Sequence, residues 1–172
     1  MNLVLLRHAT RSPVPETGQG SGANEYPLNS VGLTQAEDLV GAVEQLGKLP
    51  PPTLIFSSPK LRARQTMTPL SKAFEVEIKI FDDLDERLDS ESLSSFEKRV
   101  RGAYDILKSH AANETVYFCT HLDVLETASA LWPTDFSERE MAQSWSTLEY
   151  QVFNYDNGLL KSGLRARIPP RG

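Results

Sequence analysis

The chain's 172 residues, 40% of them hydrophobic, suit one globular domain over residues 1–172, and the net charge of −5 argues against general nucleic-acid binding. A single cysteine, Cys119, excludes an internal disulfide and fits a reducing compartment. Because the apolar run at the N-terminus is broken at Arg7 and no stretch is long enough to cross a membrane, we expect no signal peptide, no membrane span and a cytoplasmic location.

The first third of the hydrophobic pattern predicts a strand, a long loop and a helix. The run from Leu3 to Leu6 is continuously apolar, as in a strand buried on both faces. A loop rich in Gly and Pro is expected from about Ser12 to Asn29. Thr34 and Glu37 fit a capping box at the start of the first helix, which should end at Gly47.

The middle of the chain repeats this alternation. The run from Leu54 to Phe56 is the second predicted strand, and Ser58 should cap a helix whose first residue is Pro59. Pro69 should end or kink that helix, because a proline inside a helix removes one hydrogen bond. A weaker third strand is expected from Ile78 to Phe81.

The second half of the chain completes the pattern. Helical spacing of apolar residues predicts helices over Leu93–Leu107 and Val124–Leu131, on either side of a buried strand over Val116–Cys119. Thr147–Tyr155 alternates as a strand does, and Asn157–Gly158 is a strong hairpin signal. This order predicts a three-layer α/β/α fold with a mostly parallel central sheet and a C-terminal antiparallel hairpin.

Polar residues follow each of the four predicted parallel strands. In chain order they are Arg7, His8 and Arg11, then Ser57, Ser58 and Arg62, then Asp85 and Glu86, and finally Thr120 and His121. Ligands bind beyond the carboxyl ends of parallel strands, so we expect these groups to converge on one pocket. Guanidinium groups match phosphate oxygens, and a neutral imidazole among cations can attack phosphorus. By residue type alone, however, a histidine after a strand is more often structural.

Four segments, in this order, resemble the motifs of the histidine phosphatase superfamily, also called phosphoglycerate mutase-like. The segments are Leu6–Thr10, Leu28–Ala36, Ser57–Thr66 and Val116–His121. Two positions depart from the family glycines, since Ala9 follows the first histidine and Leu122 follows the second. Chain length, Leu122 and the C-terminal hairpin make the chain most similar to the compact SixA-type phosphohistidine phosphatases.

The resemblance implies a role for each candidate site residue. His8 would be the nucleophile that becomes phosphorylated, and Glu86 would protonate the leaving oxygen. The groups implied to bind the phosphoryl group are Arg7, Arg11, Arg62 and the second catalytic histidine, His121. Asp123 remains an alternative proton donor, and no metal or organic cofactor is implied.

These roles predict a cofactor-independent phosphatase with a covalent phosphohistidine intermediate on His8. Its substrate would be a phosphorylated small molecule or a phosphohistidine protein, with no nucleic-acid or membrane partner. The SixA-type resemblance favours phosphohistidine, whereas a proton donor at Glu86 suits phosphate esters, because imidazole is a good leaving group. The alternative is a catalytically silent phosphate-binding module, suggested by Ala9 and Leu122. A metal-dependent hydrolase and a serine hydrolase are disfavoured, because the sequence contains neither H-E-x-x-H nor G-x-S-x-G.

Overall fold

The structure is a computed structural model that describes residues 1–13, 26–44, 46–110 and 113–170. Most of the loop predicted between Ser12 and Asn29 lies outside these residues. The described strands are β1 (Asn2–Arg7), β2 (Leu54–Ser57), β3 (Ile78–Ile80), β4 (Thr115–Thr120), β5 (Glu149–Asp156) and β6 (Leu159–Arg167). The described α-helices are α1 (Ser30–Glu44), α2 (Leu61–Phe74), α3 (Leu93–Asp105), α4 (Leu122–Leu131) and α5 (Glu138–Met141). None of these helices is long and apolar enough to span a membrane.

The strands form one sheet in the order β3-β2-β4-β1-β5-β6. The four strands from β3 to β1 are parallel, and β5 and β6 continue the sheet in antiparallel pairing. Arg7 lies opposite Thr120, and Ser57 lies opposite Cys119, so β1, β4 and β2 end side by side. The predicted fold class is therefore confirmed, and its parallel strands bring their carboxyl ends to one edge.

Helices cover both faces of the sheet, which explains why the central strands are continuously apolar. Leu3 and Leu5 of β1 belong to the core that contains residues of α3 and α4. Val4 and Leu6, which face the other way, belong to the core that contains residues of α1 and α2. The predicted hairpin is also present, since Asn157 and Gly158 have φ values of 50° and 85° between β5 and β6.

The first helix begins earlier than the sequence pattern predicted. α1 starts at Ser30, and the Asn29 carboxamide oxygen accepts the Gly32 N–H at 2.9 Å. The Thr34 hydroxyl donates to the Ser30 carbonyl one turn back, so the predicted capping box at Thr34 is wrong. Gly47, with φ of 56°, closes the end of α1 as expected.

The second helix differs from its prediction at the start and at Pro69. α2 begins at Leu61 rather than Pro59, and the Ser58 hydroxyl, which accepts the Lys60 N–H at 3.2 Å, lies outside the helix. The helix continues through Pro69 to Phe74, so the prediction that it ends there is wrong. Burial of Leu70 and its neighbours in the core offsets the hydrogen bond that proline removes.

The segment after β1 lies against α1 at a distance that requires glycine. A Cβ atom at Gly32 would lie 1.9 Å from the carbonyl oxygen of Thr10. The buried Gln35 carboxamide accepts the Thr10 N–H at 3.1 Å and the Thr10 hydroxyl at 2.7 Å, and it donates to the Ile168 carbonyl. α1 thereby fixes the backbone two residues beyond His8.

We expect Gly32→Ala to lower the free energy of unfolding by about 2 kcal/mol or more, because the backbone on both sides must move apart. Urea unfolding of both proteins measures this difference. Gly102→Ala in α3 is the matched control, since its new Cβ would meet only the Asp83 carboxylate, at 3.1 Å. Equal stability of the two variants would contradict the proposed close packing.

Candidate active site

Two histidines meet at the carboxyl edge of the sheet because they follow neighbouring strands. His8 comes directly after β1, and its backbone N–H donates to the Thr120 carbonyl of β4 at 3.0 Å. His121 comes directly after β4, and the two imidazole rings lie 5.2 Å apart between centroids. Both side chains are buried, with 4% and 2% of their surface exposed. Because β1 and β4 are adjacent and parallel, the two predicted histidines meet directly after their strands.

The surroundings of His8 leave its Nε2 atom unprotonated. Nδ1 lies 2.7 Å from the Ala9 carbonyl oxygen, which can only accept, so Nδ1 carries the hydrogen. The Nε–H of Arg62 donates to Nε2 at 3.3 Å. Burial, together with the positive charges of Arg62, Arg7 and Arg11, lowers the pKa of His8 to about 3. The ring is therefore neutral near pH 7, with its lone pair directed at a guanidinium.

Arg62 joins the two histidines to a carboxylate. Its side chain is almost fully buried in the first turn of α2, and Nη2 donates to His121 Nδ1 at 3.2 Å. The same Nη2 forms a 2.5 Å ion pair with Glu86 Oε2. Thr66, one turn further along α2, donates to the Arg62 carbonyl and accepts the Ala9 N–H at 2.9 Å. The helix is thereby tied to the residue that follows His8.

These groups line a pocket of about 250 Å³ at the edge of the sheet. Its walls contain the six residues that the sequence predicted for the site: Arg7, His8, Arg11, Arg62, Glu86 and His121. Leu122, Asp123 and Glu126 complete the lining. Of the strand-end residues, Ser57 and Thr120 are turned to backbone carbonyls instead and do not line this pocket.

Backbone groups from other parts of the chain hold the two outer arginines. Arg7 Nη1 donates to the Trp145 carbonyl at 2.6 Å. Arg11 Nη1 donates to the Ser12 carbonyl at 3.0 Å, and its guanidinium lies 5.4 Å from the centre of the Tyr26 ring. With Arg62, these side chains place three guanidinium groups around one neutral imidazole, which is an environment suited to a phosphoryl group.

The two candidate proton donors differ in what they contact. The Asp123 carboxylate accepts the Arg87 N–H at 2.7 Å and the Val124 N–H at 2.9 Å, so it is engaged with backbone at the start of α4. The Glu86 carboxylate is 28% exposed and contacts Arg62 inside the pocket. Of the two candidates, only Glu86 contacts Arg62, which in turn contacts His8.

Sequence reasoning did not single out Lys60, which lies with Ser58 and Asp85 behind His121. Ser58 Oγ lies 2.7 Å from His121 Nε2, and Lys60, only 2% exposed, lies 3.4 Å from Asp85 and 3.7 Å from Glu86. A lysine next to a buried strand and a helix start was visible in the sequence. Its carboxylate partners are 25 and 26 residues away, however, and spacing along the chain did not indicate the pairing.

The family model of the histidine phosphatase superfamily (branch 1) matches residues 3–89, which are 87 of the 172 residues. The chain belongs to this superfamily. His8, Arg62 and Glu86 lie inside the matched segment. His121 lies beyond it in the sequence, directly after β4. Because this is a superfamily of phosphatases, the match supports phosphatase activity for this chain. A comparison with curated protein sequences found no significant match.

Solved structures of other phosphatases share the fold. A candidate α-ribazole-5′-P phosphatase from Escherichia coli is 16% identical, with a TM-score of 0.78 and 100% of each chain covered. A candidate phosphohistidine phosphatase SixA from Agrobacterium tumefaciens is 21% identical, with a TM-score of 0.68 and coverage of 92% of this chain and 94% of that chain. A mycobacterial glucosyl-3-phosphoglycerate phosphatase is 18% identical, with a TM-score of 0.68 and coverage of 96% and 97%. The expected resemblance to SixA-type proteins is thus confirmed at the level of the fold.

We expect the His8 ring to stay neutral from about pH 8 to about pH 5, because its pKa is lowered to about 3. Ring ¹⁵N chemical shifts measured across this range test the expectation, and a His8→Asn variant assigns the His8 signals by their loss. A titration midpoint near the ordinary histidine value of about 6.5 would contradict the proposed environment.

Proposed function

We propose that this chain hydrolyses phosphate monoesters of small molecules by way of a phosphohistidine intermediate on His8. The observation that carries the proposal is the Arg62 guanidinium, which contacts His8 Nε2, His121 Nδ1 and Glu86 Oε2 together. A phosphoryl group bound at this guanidinium would lie beside an unprotonated nitrogen, a second histidine and a carboxyl group. These are the groups that a two-step phosphoryl transfer uses.

In the first step, the lone pair of His8 Nε2 attacks phosphorus and the bond from phosphorus to the ester oxygen breaks. Glu86, a carboxylate paired with Arg62 in the empty site, takes the proton of a monoanionic phosphate ester and passes it to the leaving oxygen. The guanidinium groups of Arg7, Arg11 and Arg62 stabilise the negative charge on the three phosphoryl oxygens, and His121 adds a fourth contact. Because His8 is already neutral, no proton has to leave the nucleophile before it attacks.

In the second step, water attacks the phosphohistidine and the bond from phosphorus to His8 Nε2 breaks. Glu86, again a carboxylate, accepts the proton from the attacking water and passes it to the departing phosphate, which restores the carboxylate. Inorganic phosphate leaves, and His8 is neutral again. Every group in this cycle lies in the described pocket, and no step uses a metal ion or an organic cofactor.

The contact between Glu86 and Arg62 favours ester substrates over phosphohistidine proteins. An alkoxide is a poor leaving group that needs a proton, whereas a phosphohistidine substrate releases imidazole, which needs little acid assistance. A protein phosphohistidine substrate is the second candidate, because the fold is also that of a protein histidine phosphatase SixA solved with tungstate (14% identity, TM-score 0.68). The silent binding module is less favoured, because the pocket also holds an unprotonated His8 nitrogen and the Glu86 carboxyl group, which phosphate binding alone does not need.

A neighbouring cavity offers room for the rest of a small substrate. It measures about 460 Å³ and shares Asp123 and Glu126 with the phosphate pocket. Leu88 and Leu93 give it apolar walls, while Asp89 adds a third carboxylate. Arg87 also lines the cavity, but the three carboxylates leave its lining negative, which would disfavour leaving groups that carry further negative charge. A cytoplasmic location and a single domain over residues 1–172 remain predictions from composition and length.

We expect Glu86→Gln to slow the hydrolysis of alkyl phosphates by about a hundredfold or more, because the leaving oxygen loses its proton donor. The same substitution should have a much smaller effect on phosphoenzyme formation from 4-nitrophenyl phosphate and from a phosphohistidine peptide, whose leaving groups need little protonation. Rapid-quench rates of phosphoenzyme formation on His8 in wild-type and variant protein, with these three substrates, measure the difference, because this step precedes the one in which Glu86 activates water.

Glu77→Gln is the matched control, since Glu77 is exposed and lies ahead of β3, outside the pocket. An equal loss on all three substrates would contradict the role of Glu86 as general acid. Activity of the wild-type protein on the phosphohistidine peptide, with none on any ester, would replace the ester proposal with the second candidate.

A further inference from the structure

A buried lysine paired with two partly buried carboxylates lies directly behind the second histidine. The Lys60 ammonium, on a side chain only 2% exposed, is 3.4 Å from Asp85 Oδ2 and 3.7 Å from Glu86 Oε1. Burying such charges is costly, and well-packed apolar side chains would often serve stability as well or better. The position of this pair, in contact with the proposed proton donor, points to a role in the chemistry of the site.

Ser58 connects the ion pair to His121. Its hydroxyl oxygen is 2.7 Å from His121 Nε2 and donates to Asp85 Oδ1 at 3.3 Å. The Lys60 backbone N–H donates to the Ser58 hydroxyl oxygen at 3.2 Å. Since Arg62 Nη2 donates to His121 Nδ1, the single hydrogen of the neutral ring lies on Nε2. A directed chain of hydrogen bonds therefore runs from His121 through Ser58 to Asp85.

This arrangement has a consequence for phosphate binding. His121 Nδ1 faces the pocket as an acceptor, but the oxygens of a phosphoryl dianion also only accept. Nδ1 can donate to such an oxygen only after it gains a proton. Because the Ser58 hydroxyl donates to Asp85 and therefore accepts from Nε2, the first hydrogen stays on Nε2 and the ring becomes an imidazolium with both nitrogens donating. Asp85, reached through Ser58, stabilises that cation in the way that a buried carboxylate orients and stabilises a catalytic imidazolium.

The charges around His121 oppose this protonation in the empty site and favour it in the filled one. Burial lowers the pKa of His121 well below its ordinary value, and His8, Arg62, Lys60 and Arg7 lower it further. The groups of opposite sign near the ring are Asp85 and Glu86, both 3.8 Å from a ring nitrogen. A phosphoryl dianion adds two negative charges on the pocket side and offsets the guanidinium groups.

We propose that Asp85, held by Lys60 and acting through Ser58, is a positioning residue that makes His121 take up a second proton when a phosphoryl group binds. The inference rests on the proposed function, because it concerns the same phosphate pocket. The proton comes from solvent or from the monoanionic form of the substrate, and no bond to phosphorus forms or breaks in this step. His121 then donates from Nδ1 to a phosphoryl oxygen while Nε2 donates to Ser58.

Ring ¹⁵N shifts of His121, recorded with and without tungstate near pH 7, test the proposal without any turnover. In the wild-type protein we expect a neutral ring protonated on Nε2 alone, and a ring protonated on both nitrogens once tungstate is bound. Proton uptake also requires that tungstate bind more tightly as the pH falls, and calorimetric titrations at several pH values measure this dependence.

Asp85→Asn should leave His121 neutral in the tungstate complex near pH 7, weaken tungstate binding about tenfold, and move the pH dependence of binding to lower pH. Ser58→Ala removes only the connecting hydroxyl and should have the same effect, which keeps the test available if the Asp85 variant does not fold. Asp82→Asn is the matched control, since Asp82 is an exposed carboxylate three residues before Asp85 and outside the phosphate pocket, and it should match the wild-type protein.

A wild-type His121 that stays neutral with tungstate bound would overturn the inference, as would variants at Asp85 and Ser58 whose protonation and affinity equal those of the wild-type protein. Failure of the proposed function has a different signature. A protein that binds tungstate with the expected protonation of His121, but forms no phosphoenzyme on His8, would overturn the covalent mechanism and leave the positioning role in place.

Discussion

The buried guanidinium of Arg62 holds the site together. It contacts the unprotonated nitrogen of His8, the pocket-facing nitrogen of His121 and the carboxylate of Glu86. A buried guanidinium keeps its charge and needs partners in fixed directions, so the positions of these three side chains depend on one another. Burial, together with the charges of Arg62 and the other two arginines, lowers the pKa of His8 and keeps the ring neutral and ready to attack.

Strand register brings the two histidines together, and helix α2 adds Arg62. β1, β4 and β2 are adjacent and end at the same level, so the residues after each strand meet at one edge. The first turn of α2 places Arg62 in contact with both histidines. Thr66 of the same helix accepts the Ala9 N–H and so connects α2 to the segment after His8. On the other side, Gln35 of α1 holds Thr10, so the segment that carries His8 is fixed from two helices.

The fold class and the position of the site at the strand ends were predictable because they depend on short-range pattern and one general rule, whereas the resemblance to the superfamily singled out the six pocket residues. Continuously apolar strands marked the sheet, and the rule that ligands bind beyond parallel strands pointed to the residues that follow them. Helix boundaries were less predictable because they depend on tertiary partners. Thr34 matched a capping pattern, but Asn29 makes the actual cap. Helix α2, which Pro69 was expected to end or kink, continues to Phe74 because its buried face packs in the core. The pairing of Lys60 with Asp85 joins segments that are distant in sequence, and no local signal predicts it.

The most direct test of the covalent mechanism is to trap the phosphoenzyme. The protein is mixed with an aryl phosphate, quenched in alkali within the first turnover and digested, since phosphohistidine survives alkali but not acid. We expect phosphate on the peptide that contains His8, with none on the corresponding peptide of a His8→Asn variant, which should also lose turnover. Hydrolysis of the substrate with no phosphate on His8, or normal turnover in the His8→Asn variant, would contradict the mechanism.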